Sequence, residues 1–138
     1  MRMPLTSVFR ILLLSSIAAA ACSDSTAPTM ADVSGSYSAT SFVATTPGSA
    51  TNIAEGATLD LVLDANGTVT GHLFVPGSGG DADVNENMAG TWVLFGKRIT
   101  FDQGADTFVR NIDWVVNGNH LVGTGTFDSV QIAVTLTR

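Results

Sequence analysis

Leu59-Asp60-Leu61-Val62-Leu63-Asp64-Ala65-Asn66-Gly67-Thr68-Val69-Thr70-Gly71-His72-Leu73 reads as a single β-hairpin. Leu59, Leu61 and Leu63 share one parity, and Asp60, Val62 and Asp64 share the other. A period of two places the leucines on one face of a strand. Asp64-Ala65-Asn66-Gly67 interrupts the alternation with residues that tolerate the positive φ of a tight turn. A second strand then returns from Thr68 to Val75.

The pattern extends outward in both directions. A first strand covers Ser34 to Val43, and a Gly/Ser/Pro/Ala-rich loop runs from there through Ala57. After Val75, a Gly- and Asp-rich loop spans Pro76 to Asn87. Met88–Leu94 and Arg98–Phe101 are joined through Phe95-Gly96-Lys97. Three strands follow, Thr107–Val116, His120–Phe127 and Val130–Thr137, separated by Asn117-Gly118-Asn119 and Asp128-Ser129. No helical period follows the N-terminal apolar segment. Short links between neighbours require antiparallel pairing, and about eight meandering strands lose their free edges by closing on themselves. The fold class expected is all-β: one antiparallel up-and-down barrel over residues 33–138.

Parity also assigns the core. Tyr37, Leu59, Leu61, Leu63, Val69, Leu73, Val75, Met88, Trp92, Leu94, Ile99 and Phe101 are expected to face inward. So are Phe108, Ile112, Trp114, Val116, Leu121, Phe127, Val130, Ile132, Val134 and Leu136. Gly71, Gly90, Gly123 and Gly125 share that register, where a glycine permits sharp coiling or close approach of another group. Val62, Phe74, Val93, Val109, Val115 and Val122 fall on the outer parity. Six apolar residues there point to cover by a second copy or a partner.

The N-terminus carries a different signal. Arg2 and Arg10 precede an apolar run, Ile11–Ala21, too short for the ~20 residues of a membrane-spanning helix and suited to a secretory signal core. The single cysteine, Cys22, follows directly. Having no partner for a disulfide, it is expected to serve as an attachment point. Residues 1–21 are thus read as a signal peptide. Residues 22–32 are read as the attachment cysteine and a polar, Pro-containing tether.

The chain holds six basic and twelve acidic residues, a net charge of −6. Removal of Arg2 and Arg10 leaves four basic against twelve acidic groups. Nucleic-acid binding requires the opposite balance and is excluded as an expectation. The acidic body does not adhere to anionic lipid unaided.

Two resemblances follow from these residues. Ala19-Ala20-Ala21-Cys22 resembles the lipobox of bacterial lipoproteins, with Ala19 where that family commonly has leucine. The resemblance implies acylation of Cys22, anchorage in the bacterial cell envelope, and, since Ser23 rather than aspartate follows the cysteine, residence in the outer membrane. One acyl chain binds only marginally at ~0.8 kcal/mol per methylene, and several bind firmly. Gly35-Ser36-Tyr37 looks like the opening Gly-x-Trp of the lipocalins, with tyrosine for tryptophan, and Gly90-Thr91-Trp92 has the same form. With the strand order, this resembles the calycin group of lipocalin-like barrels. It implies a small cavity for an apolar or amphiphilic ligand.

Tyr37, Trp92, Phe108, Arg110 and Trp114 are the candidate ligand-binding residues. Arg110 shares the inward parity of Phe108 and Ile112. Three placements are open to it: anchoring a ligand anion, stacking on an aromatic ring such as Tyr37 as an arginine does in lipocalins, or turning outward at a bulge. Asp81-x-Asp83-x-Asn85 begins like a calcium loop, but Glu86 and Trp92 occupy the places of the required glycine and glutamate. His72 and His120 lack a third metal ligand. No nucleophile elbow or phosphate loop appears, so neither a catalytic group, a metal nor a cofactor is expected. The alternative to a ligand carrier is a structural or protein-interaction lipoprotein with a filled barrel.

Overall fold

The computed structural model describes residues 26–138. The expected signal peptide, Cys22 and the first residues of the expected tether lie outside the described residues.

The end of the expected tether is ordered as a helical turn, α1 (Met30–Val33). Its start is fixed by a capping box: Thr29 Oγ1 accepts from the Asp32 amide at 3.3 Å, and the Asp32 carboxylate accepts from the Thr29 amide at 2.9 Å. Val33 is fully buried, so the body begins here and not at the first strand.

Nine strand segments follow: β1 (Gly35–Thr45), β2 (Thr58–Leu63), β3 (Thr68–Val75), β4 (Val84–Asn87), β5 (Gly90–Phe95), β6 (Arg98–Gln103), β7 (Asp113–Asn117), β8 (His120–Phe127) and β9 (Val130–Thr137). β4 and β5 share one position in the ring. β4 pairs with His72–Val75 of β3, β5 pairs with Thr68 and Val69, and between them the Met88 amide donates to Gly71 O at 3.0 Å. Every pairing is antiparallel, and β9 closes the ring on β1. The result is an eight-stranded up-and-down barrel. The hairpin quoted from the sequence is β2–β3, in register from Leu63↔Val69 to Thr58↔Phe74.

The alternation expected for β2 and β6 is present residue by residue, with Leu59, Leu61, Leu63, Ile99 and Phe101 buried. Trp92, Trp114 and Tyr37 fill the barrel with their polar atoms satisfied. Trp92 Nε1 donates to Asp64 O (2.9 Å), Trp114 Nε1 to Val109 O (2.8 Å), and the Tyr37 hydroxyl to Val33 O (2.6 Å). Gly123 lies opposite Trp114, and a Cβ there would stand 2.7 Å from the indole ring. The glycine is needed for close approach of the ring.

Besides β4, which occupies the end of the expected Pro76–Asn87 loop, two stretches differ from the sequence reading. Thr107–Val116 is not one strand: Phe108–Asn111 form a helical turn, α2, before β7 begins. Val109 is therefore buried at 0% exposure and not outward. In β1, the register shifts between Ala39 and Ser41. Tyr37 points inward before this bulge, and Phe42 and Ala44 turn inward after it.

A meander sorts its connections to the two ends. One end holds the tight turns β2–β3, β5–β6 and β7–β8, with α1 and Arg138 packed across it. The other holds the long loops β1–β2, β3–β4 and β6–β7, the last of which includes α2.

Candidate functional site

The long-loop end has a cleft of about 180 Å³. Its floor is Leu73, Ala44 and Ile132, which point inward near the ends of β3, β1 and β9. Phe42 and Phe108 form one wall in an edge-to-face pair, with ring centroids 5.3 Å apart and planes at 78°. Phe127 and Val130 flank the β8–β9 turn, and Val75 and Val84 come from the strand pair β3–β4.

The last wall is a loop residue, Ile53. Asn52 holds it there: its Oδ1 accepts from the amides of Ala44 (3.1 Å) and Ala54 (3.0 Å), and the Ile53 amide donates to Ala44 O at 2.7 Å. The loop is thereby tied to β1 at the mouth. The polar members of the lining are Asp106 and Thr107, at the rim beside α2. The cleft thus offers an apolar surface with polarity at one edge, the arrangement of sites that take apolar or amphiphilic molecules.

Of the five residues singled out from the sequence, Phe108 borders this cleft. Tyr37, Trp92 and Trp114 lie in the packed interior, 1%, 1% and 0% exposed. Arg110 is outward on α2. Its Nη2 forms an ion pair with Asp106 Oδ1 at 2.5 Å, and its Nη1 donates to Gln103 O at 3.3 Å. The inward parity assigned to it fails because the helical turn advances each side chain by about 100° and not 180°. The cation on Tyr37 is Arg138, with its guanidinium carbon 5.8 Å from the ring centroid.

Phe42, Ala44 and Ile53 were not legible as site residues. The first two change parity at the bulge, and the third lies in an irregular loop. The side-chain amide of Gln103 is buried near the base of α2, and neither its nitrogen nor its oxygen has a hydrogen-bond partner among the described residues. His72 and His120 are exposed and bonded to Asn85 (2.7 Å) and Thr137 (2.9 Å). Among the described residues no three His, Cys, Asp or Glu side chains converge on a metal position. No protein-family model, curated protein or solved structure matches the chain.

Proposed function

We propose that this protein is a non-enzymatic lipoprotein of the bacterial envelope that holds a small apolar or amphiphilic molecule in the mouth of its barrel. The observation that carries the reading is the cleft of about 180 Å³ lined by Phe42, Phe108, Ile53 and Ile132. A dry apolar cavity near 150 Å³ accepts a molecule of benzene's size. The open mouth admits one ring or a short acyl segment, and a longer ligand would leave its remainder in solvent beside Thr107. Arg138 over Tyr37, following Gly35-Ser36-Tyr37, supports the lipocalin-like reading. Ala19-Ala20-Ala21-Cys22 supports acylation and anchorage, with the outer membrane as destination.

Native mass spectrometry of the protein purified from its membrane, with displacement of an environment-sensitive dye, tests this. Retained or displaceable ligand is expected, and Val130→Trp at the rim should abolish it. Uptake that is absent, or unchanged in V130W, would refute the site.

A second reading is favoured by the filled interior, where Tyr37, Trp92 and Trp114 leave the mouth as the site of the cleft. A structural lipoprotein that meets another envelope protein needs no ligand. Crosslinking in cells would then capture a partner while the mass spectrum shows bare protein.

A further inference from the structure

Phe95 ends β5 beside a two-residue turn, Gly96-Lys97, and pairs with Arg98. Gly96 has φ +61°, as the first central position of a tight hairpin requires. At 87% exposure, Phe95 is the most exposed large apolar side chain among the described residues. Val93 on the same strand and Val115, paired with Arg98 across the sheet, are 58% and 43% exposed. An aromatic tip, two cations and two valines thus occupy one corner of the barrel.

The charges are sorted along the barrel. Four basic residues follow Arg10 in the sequence. Lys97, Arg98 and Arg138 lie at the tight-turn end, where Asp32 and Asp64 are the acidic groups, and Arg110 is committed to Asp106 at the other. The long-loop end carries Glu55, Asp81, Asp83, Asp106 and Asp128. α1, where the described chain enters the body, sits at the tight-turn end too, with Arg138 donating to Asp32 O and Ser34 O. From Cys22 to Met30 the chain reaches no farther than ~28 Å.

We infer that the tight-turn end rests on an anionic bilayer, with Phe95 among the headgroups and Lys97 and Arg98 against lipid phosphates. Exposed Phe, like Trp and Leu, inserts its apolar surface at the headgroup boundary, and nearby cations add attraction to anionic lipid. The acidic long-loop end is repelled by the same surface, so the cleft opens away from the membrane. This deepens the anchored-lipoprotein reading and depends on it for the tether alone.

The test uses the full chain, produced in bacteria and reconstituted into phosphatidylethanolamine–phosphatidylglycerol vesicles with brominated acyl chains. Phe95→Trp introduces an indole at the tip, while Trp92 and Trp114 stay buried as background. The introduced indole should emit to the blue and lose roughly half its intensity to the bromines. Adding Lys97→Glu and Arg98→Glu should remove most of that loss. Unquenched, water-like emission while the protein co-floats with vesicles would overturn the inference and leave the anchor intact. A blue shift without vesicles would mean that a protein surface covers Phe95, and would also overturn it. If the chain does not float with phosphatidylcholine vesicles, the anchor reading fails by itself. Flotation on anionic vesicles alone, abolished by K97E/R98E, would then support the tip, and none on either would refute it.

Discussion

Arg138 ties α1 and the β7–β8 turn to the end of β9 around Tyr37. Its guanidinium carbon lies 5.8 Å from the ring centroid, Nη1 donates to Asp32 O (2.8 Å) and Ser34 O (2.9 Å), and Nη2 donates to Asn119 Oδ1 (3.1 Å). The carbonyls belong to the end of α1, so one side chain joins α1, β1, the β7–β8 turn and β9. Charged hydrogen bonds to carbonyls and a cation over a ring together predict a loss of about 2 kcal/mol in Arg138→Ala. Urea denaturation measures it. Arg138→Lys should recover a minority of the loss, because a single ammonium does not reproduce the planar fork.

Tyr37 gives a second readout of the same contact. It is the single tyrosine of the chain, so ultraviolet titration reads it directly. Burial raises its pKa above the ordinary 10.0, and the positive charge of Arg138 pulls the other way. Arg138→Ala should therefore raise the titration midpoint further. The folded state favours the neutral phenol, so its contribution to stability is complete below pH 10 and declines as pH rises through the folded pKa. A midpoint at or below 10 in the native protein would contradict the buried placement.

The β8–β9 turn stores backbone strain. Asp128 and Ser129 both have positive φ, +47° and +69°, between the paired residues Phe127 and Val130. That geometry suits Asn-Gly and disfavours a residue with a Cβ. Ser129→Gly should gain roughly 0.5–1 kcal/mol after allowance for the greater freedom of glycine in the unfolded chain. Thermal unfolding of S129G and of D128N/S129G checks this, and the double variant should be the more stable.

The barrel was legible because most of its strands obey one period from end to end. Leu59, Leu61, Leu63, Ile99, Phe101, Leu121, Val134 and Leu136 lie where parity places them. The mouth was not legible, because it is built where the period breaks. A bulge carries Phe42 and Ala44 inward, Asn52 brings in Ile53, and α2 turns Arg110 out while burying Val109. A cation at an inward position among Phe108, Ile112 and Trp114 was itself the sign of a break. β4 left no trace, since all four of its residues are exposed and show no alternation in burial.

Gly123 shows what alternation cannot convey. Its inward register was visible, but its cross-strand neighbour was not. The Cβ of Gly123→Ala would stand 2.7 Å from the Trp114 ring, which is buried at 0% exposure and tied to Val109 O. Overpacking of this kind predicts a loss of about 2–3 kcal/mol. Calorimetry gives the loss, and a shifted tryptophan emission in G123A would locate the disturbance at Trp114.

Gln103 links packing to the site. It follows Ile99 and Phe101 on the inward face of β6, at 3% exposure. Its main-chain carbonyl is occupied by Arg110, yet its side-chain amide has no protein partner among the described residues. An amide buried in this way costs about 1–3 kcal/mol relative to an apolar group of the same shape. Gln103→Met should therefore stabilise the protein by that order, with the proposed uptake at the mouth unchanged. The opposite sign would carry its own meaning. Destabilisation together with weaker uptake would show that the amide reaches a bound molecule, and that the cleft beneath Phe42 and Phe108 extends inward past α2. Denaturation and dye displacement on the same Q103M preparation separate the two outcomes.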